Sequence, residues 1–190
     1  MNEKGNFLFN SYINNLNQIL GSLDLEPIIK FANKLKEIWL KGNQLFICGN
    51  GGSAGNAIHI ANDFIYGIAN KSDGLGLKVH ALSSNPSIIT CLANDISYDD
   101  IFSHQLQVLG NKADVLLALS GSGNSPNIIK AIEVAKEKEI QTFAILGYTG
   151  GKCKEVVDVP IHTPIMDMQI SEDLQLIICH MVMQWLRENK

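Results

Sequence analysis

At 190 residues, 46% hydrophobic and 18% charged, the chain has the size and balance of one globular domain with a substantial core. A formal net charge of −4, with Arg187 the single arginine among 15 basic residues, argues against a nucleic-acid partner, which needs a clustered basic surface. No apolar run reaches the ~20 residues of a membrane span, the start Met1-Asn-Glu-Lys-Gly5 is too polar for a signal peptide, and Cys48, Cys91, Cys153 and Cys179 lack CxxC spacing; a cytoplasmic protein with reduced thiols is expected.

Apolar residues recur at helical spacing from Phe7 to about Leu23 (Leu8, Tyr12, Leu16, Ile19, Leu20) and from about Glu26 to Leu40 (Ile29, Phe31, Leu35, Ile38, Trp39), predicting two leading amphipathic helices. With no strand between them, they are expected to cover a sheet face or pack against another subunit. The period then changes. Short apolar runs at Leu45–Cys48, Lys78–Leu82, Val115–Leu119, Thr142–Leu146 and Val157–Ile161 alternate with helical patterns, and Gly or Asn marks most junctions, the signature of βαβ units.

The first junction carries the strongest signal. Leu45–Cys48 reads as a buried strand, and Gly49, Gly51 and Gly52 turn it into a helix with Ser53 as the expected N-cap. Glycines let the backbone approach a ligand, and the free N–H groups of a helix's first turn attract an anion. On the same helix His59 and Asp63 are four residues apart and share a face, so groups able to move protons or bind a metal follow a phosphate-holding turn. The segment Asn70–Gly76 reads as a loop.

A second junction repeats this logic: Asp114–Leu119 runs into Ser120-Gly-Ser-Gly-Asn-Ser-Pro-Asn127, then a helix from Ile128 to Lys136 with Ser125 as N-cap and Pro126 at its first position. The last helix, roughly Gln169–Glu188, has Ile170, Leu174, Ile177, Ile178, Met181 and Trp185 on its apolar side. Its Glu172 and His180 are about 80° apart around the axis, able to face one pocket. His80, His104 and His162 have no such company and read as structural or surface residues. Together these patterns predict an α/β protein, one domain over residues 1–190 (leading helices about 7–41): a three-layer sandwich around a central parallel sheet of about five strands, with ligands at the strands' carboxyl ends. A nucleotide cofactor is not expected. After Gly49-Asn-Gly51 the dinucleotide glycine spacing fails, and the strand at Lys78–Leu82 ends without an acid to hold a ribose.

Cys48-Gly-Asn-Gly-Gly-Ser53, the Asn94-Asp95 pair followed by Asp100-Ile-Phe-Ser103, the Ser120–Ser125 loop and the late helix with His180 together resemble the sugar isomerase (SIS) domain family, and within it the phosphoheptose isomerases, over nearly the whole chain. The resemblance implies a flavodoxin-like SIS fold and a homotetramer. It also implies an aldose–ketose isomerase interconverting sedoheptulose 7-phosphate and D-glycero-D-manno-heptose 7-phosphate for surface-polysaccharide heptose. Carried over position by position, it implies that Ser120, Ser122 and Ser125 bind the phosphate, with Asn50, Gly51, Gly52 and Ser53 lining the same pocket. It further implies Asp63 and His180 as the catalytic pair, Asn85, Asn94, Asp95 and Glu172 as further substrate contacts, and His59, Asp63, Glu172 and His180 as ligands for zinc. The chain departs from the family in places: Asp63 is a methylene shorter than the family's glutamate, Glu172 is charged where glutamine is usual, and Asn85 replaces an aspartate. Two family arginines are absent, Ile170 standing at one of their positions. Enediol chemistry needs a base near the carbons and a donor near the oxygens, tasks that suit a carboxylate and an imidazole. The alternative is a non-catalytic SIS-domain regulator that binds a sugar phosphate or a protein; retention of His180 and of an acid at Asp63 favours the enzyme.

Overall fold

The computed structural model describes residues 3–69 and 74–189; residues 70–73 of the loop expected at Asn70–Gly76 lie outside the described residues. In chain order the elements are α1 (Glu3–Gly21), α2 (Glu26–Lys41), β1 (Gln44–Gly49), α3 (Gly52–Asn62) continuing into a π turn (Asp63–Gly67), β2 (Lys78–Ala81), α4 (Pro86–Asp95), a 3-10 turn (Tyr98–Asp100), α5 (Ser103–Leu109), β3 (Val115–Ser120), α6 (Pro126–Glu137), β4 (Gln141–Leu146), α7 (Gly151–Val156), β5 (Val159–His162) and α8 (Met168–Glu188). The five strands pair parallel in the order β2-β1-β3-β4-β5. This is the flavodoxin-like order, whose direction of winding reverses between β1 and β3.

The central strands read as unbroken apolar runs because helices cover both faces. Alternation then sorts their side chains. Leu45 and Ile47 of β1 and Leu117 and Leu119 of β3 join a core with α2, α3 and α8, and Phe46, Cys48, Leu116 and Ala118 join a second core with α4, α5, α6 and α7. At the strands' amino ends the buried Asp114 carboxylate accepts from the Gln44 and Asn111 N–H groups at 2.9 and 2.8 Å, fixing β1 against β3. Their register, Cys48 beside Ala118 and Gly49 beside Leu119, brings the following loops out side by side.

Three local expectations change. In α2 the buried residue is Ile28, while Ile29 faces outward at 55% exposure, because the stripe that meets the sheet and α8 runs through Ile28, Phe31, Ala32, Leu35 and Ile38. The helix after β1 begins two residues early, with Gly51 at its N-cap in a positive-φ conformation (φ +56), so Ser53 lies inside the first turn and is buried. The third change is in α1, which covers neither sheet face, since α2, α3 and α8 already fill that side. Phe7, Leu8, Phe9 and Ile13 are all more than half exposed, and the Tyr12 hydroxyl donates to the Asp173 carboxylate of α8.

Candidate functional site

The loops after β1 and β3 leave the sheet where its winding reverses, the place at which open α/β sheets bind ligands. They are locked to each other by an amide pair: Asn50 Nδ2 donates to Asn127 Oδ1 and Asn127 Nδ2 to Asn50 Oδ1, both at 2.9 Å, and the Tyr98 hydroxyl donates to Asn50 Oδ1 at 3.1 Å. Within the second loop Ser120 Oγ accepts from the Gly123 N–H at 3.0 Å and Ser122 Oγ from the Asn124 N–H at 3.3 Å. Ser125 stands at the N-cap of α6 yet makes no side-chain cap bond. Bonds accepted by Ser120 and Ser122 leave their O–H protons to point at a ligand, and the Ser125 hydroxyl is likewise available. This constellation can hold an anion with neutral donors.

The second loop rests on α7. Gly123 takes φ +68, and a Cβ there would run into the Gly150 carbonyl. The Gly123 carbonyl accepts from the Cys153 N–H at 2.9 Å and Asn124 Oδ1 from the Lys152 N–H at 3.1 Å, so two donors of α7's first turn are satisfied by the serine loop.

Helices α3 and α8 run side by side and parallel, their carboxyl-ward contacts advancing together. Gln175 Nε2 donates to Ser53 Oγ at 3.0 Å, and Asn56 Nδ2 donates to Gln175 Oε1 at 2.9 Å and to the Glu172 carbonyl at 3.0 Å. Two turns further on, His180 Nε2 lies 3.2 Å from both His59 Nε2 and Asp63 Oδ2, and His59 Nε2 is 3.4 Å from Asp63 Oδ2. Asp63 opens the π turn, a widened turn of the sort that gathers at functional sites. Two imidazole nitrogens and a carboxylate oxygen so spaced form one face of a tetrahedron: ligands about 2.1 Å from zinc stand about 3.4 Å apart. His59, Asp63 and His180 therefore form a group able to hold a metal ion.

Not every expected residue joins these groups. Glu172 is absent from the metal-binding group; its carboxylate lies against Gly52 at the start of α3. Asn85 is the N-cap of α4, accepting from the Ser87 and Ile88 N–H groups. Asn94 donates to Asp95 Oδ1 at 2.7 Å on the exposed end of the same helix. His80 stacks on Phe46 and bonds Gln44, and His162 bonds Tyr148 and Lys154, both structural arrangements. Sequence reasoning missed Asn127, Tyr98, Asn56, Gln175 and the Gly147–Gly151 turn. Only Asn127 carried a local signal, lying two residues past Ser125; the others act through partners distant in sequence. A surface cavity of about 820 Å³ is lined by Tyr66, Leu75 and Arg187, away from both loops, so chemistry rather than cavity volume locates the site.

A family model for the SIS domain matches residues 9–147, and with this fold and these loops the chain belongs to the SIS domain family. The particular relatives it resembles are phosphoheptose isomerases. That of Aneurinibacillus thermoaerophilus is 37% identical over 179 residues, 94% of this chain and 89% of the relative. Among solved structures, the phosphoheptose isomerase of Neisseria gonorrhoeae superposes with a TM-score of 0.87 at 28% identity over 97% of each chain. The phosphoheptose isomerase of Francisella tularensis gives 0.87 at 26% identity over 100% of each.

Proposed function

We propose that this protein is a cytoplasmic, homotetrameric aldose–ketose isomerase that interconverts sedoheptulose 7-phosphate and D-glycero-D-manno-heptose 7-phosphate, supplying heptose for surface polysaccharide. Relatives of that name over nearly the full chain support the reading. The observation that carries it is the His59–Asp63–His180 cluster beside two loops built to hold an anion, because a protein that only binds a sugar phosphate has no need of converging imidazoles and a carboxylate.

Ser120, Ser122, Ser125 and the loop N–H groups bind the phosphate, and Asn50, Gly51, Gly52 and Ser53 form the adjoining wall. Asp63 removes the proton from carbon one of the ketose while His180 gives a proton to the carbonyl oxygen on carbon two, forming an enediol. The proton held by the carboxylate then returns to carbon two as His180 takes the proton of the carbon-one hydroxyl, completing the aldose and restoring both groups. His59, Asp63 and His180 are also the residues that would hold zinc; His180 Nε2 would then have no proton to give, and Lewis-acid polarisation of the sugar carbonyl would take its place. Asp63 turns Oδ2 toward both imidazoles, leaving Oδ1 for the proton.

Proton NMR in deuterated water tests the reading, with solvent deuterium expected in the sugar during turnover of sedoheptulose 7-phosphate. His180→Ala and Asp63→Asn should bind the ester nearly as well as wild type but turn over ~10²–10⁴-fold more slowly. Wild-type protein that binds the ester yet neither converts it nor exchanges its protons would make this a binding protein instead.

A further inference from the structure

The serine loop offers hydroxyls and N–H groups but no positive charge, while a phosphate monoester carries close to two negative charges near neutral pH. The crevice already holds the Asp63 and Glu172 carboxylates. Neutral donors satisfy phosphate oxygens without offsetting that charge, so an unpaired cation beside the loop has a use. Lys152 is one. Its N–H donates to Asn124 Oδ1 at 3.1 Å, and the Asn124 N–H donates to Ser122 Oγ at 3.3 Å, so a single residue separates the Lys152 main chain from a phosphate-binding hydroxyl. The flanks of α7 are fixed by its other residues. Cys153 is buried, and at ~100° per residue Lys152 and Lys154 stand on either side of it. Lys154 Nζ lies 3.1 Å from His162 Nδ1 of β5, which leaves Lys152 on the opposite flank, where Gly151 packs against Gly123 and Asn124. The Lys152 side chain is exposed and pairs with no anion among the described residues. Its neighbours are engaged, Lys130 with Asp100 at 2.6 Å and Lys154 with His162.

We propose that Lys152 is a phosphate-binding residue: its ammonium, carried over the serine loop on a four-carbon stem, pairs with the phosphate that Ser120, Ser122 and Ser125 hold. The inference rests on the sugar-phosphate reading above and adds to it the group that makes the site prefer a phosphate dianion over an unphosphorylated sugar. In the free protein the ammonium stays in water, and its attraction for an approaching anion is screened by salt. The contact is made to the phosphate and not to the reacting carbons, so it strengthens substrate and transition state alike. KM therefore depends on Lys152, and kcat does not.

Calorimetry with inorganic phosphate and with sedoheptulose 7-phosphate, at low salt and in about 0.5 M potassium chloride, tests this on wild type, Lys152→Gln, Lys152→Arg and Lys154→Gln. At low salt Lys152→Gln should weaken both ligands about tenfold and lose most of the salt dependence that wild type shows. Lys152→Arg should keep both properties, and Lys154→Gln, on the other flank, should bind as wild type does. In turnover of the ester, KM should rise in Lys152→Gln by the same factor with kcat unchanged. Unchanged phosphate affinity in Lys152→Gln, or an equal loss in Lys152→Arg or Lys154→Gln, overturns the inference and leaves the isomerase standing if wild type turns the ester over. A loss confined to Lys152→Gln, in a protein that converts no ester, keeps the cation and removes the isomerase. If wild type binds neither ligand, the inference falls together with the phosphate site.

Discussion

Asn127 is 1% exposed and spends its side chain on Asn50, so the distance between the two loops depends on one pair of amides. Asn127→Ala leaves Asn50 with Tyr98 alone and should cost about 1–3 kcal/mol of stability. With the loops no longer held in register, KM for the sugar phosphate should rise ~10-fold with kcat changed less, the reverse of the pattern expected for His180→Ala. Steady-state kinetics beside thermal melts would show it. The thiols give a second prediction at this scale. Burial pushes Cys153 from 9.0 up to about 11, and it raises Cys48 and Cys179 too. In the unfolded chain these thiols ionise near 9 while the folded protein keeps them protonated, so their contribution is intact below pH 9 and is lost as pH climbs toward 11. The urea midpoint should fall across that window, and less steeply in Cys153→Ala. Cys91 is exposed, but its thiol donates to the Asp95 carboxylate at 3.4 Å, a bond that raises its pKa. Asp95→Asn should therefore speed alkylation of Cys91 at pH 7.5, as read by mass spectrometry.

Between elements, the site depends on two contacts. One is the parallel pair α3 and α8, where Ser53, Asn56 and Gln175 hold the helices so that His59, Asp63 and His180 meet two turns later. The other is the seating of the serine loop on α7. Gly123→Ala must place a Cβ at φ +68 against the Gly150 carbonyl, a strain of about 1–3 kcal/mol. Relief requires the loop to lift off α7, so the variant should lose sugar-phosphate affinity as well as stability. Ser122→Ala with Ser125→Ala should lose affinity at unchanged melting temperature. Calorimetry and melting curves on the two proteins separate strain in the loop from loss of its donors.

For the whole molecule, the conspicuous feature is apolar surface without cover. Phe7 and Phe9 are each 71% exposed on α1, which no sheet face receives, and the imidazoles of His59 and His180 are themselves 51% and 41% exposed. Association of subunits through α1 would bury the first. Light scattering at micromolar concentration should report an oligomer, and Phe7→Glu combined with Phe9→Glu should reduce its mass without unfolding the sheet by circular dichroism. A monomeric wild type would refute the assembly.

The α/β class, the five strands and the Gly-rich and Ser-rich loops after β1 and β3 were legible in the chain because they are local: a short apolar run followed by Gly or Ser and a helical pattern identifies a strand, its turn and the next helix wherever the rest of the protein lies. His59 and Asp63 share a face for the same reason, being four residues apart on one helix. What only the tertiary structure decided depends on pairings across more than 70 residues. The Asn50–Asn127 bond, the Gln175–Ser53 bond and the approach of His180 to Asp63 exist because β1 lies beside β3 and α3 beside α8. Helical periodicity left Glu172 and His180 free to face one pocket, since it measures angle around an axis. The same spacing sets them about 12 Å apart along that axis, and it was packing against α3 that put Glu172 at Gly52 and His180 at His59 and Asp63. The order in which strands and helices lie side by side is set by burial of both sheet faces at once, a property of the assembled layers that no single segment carries.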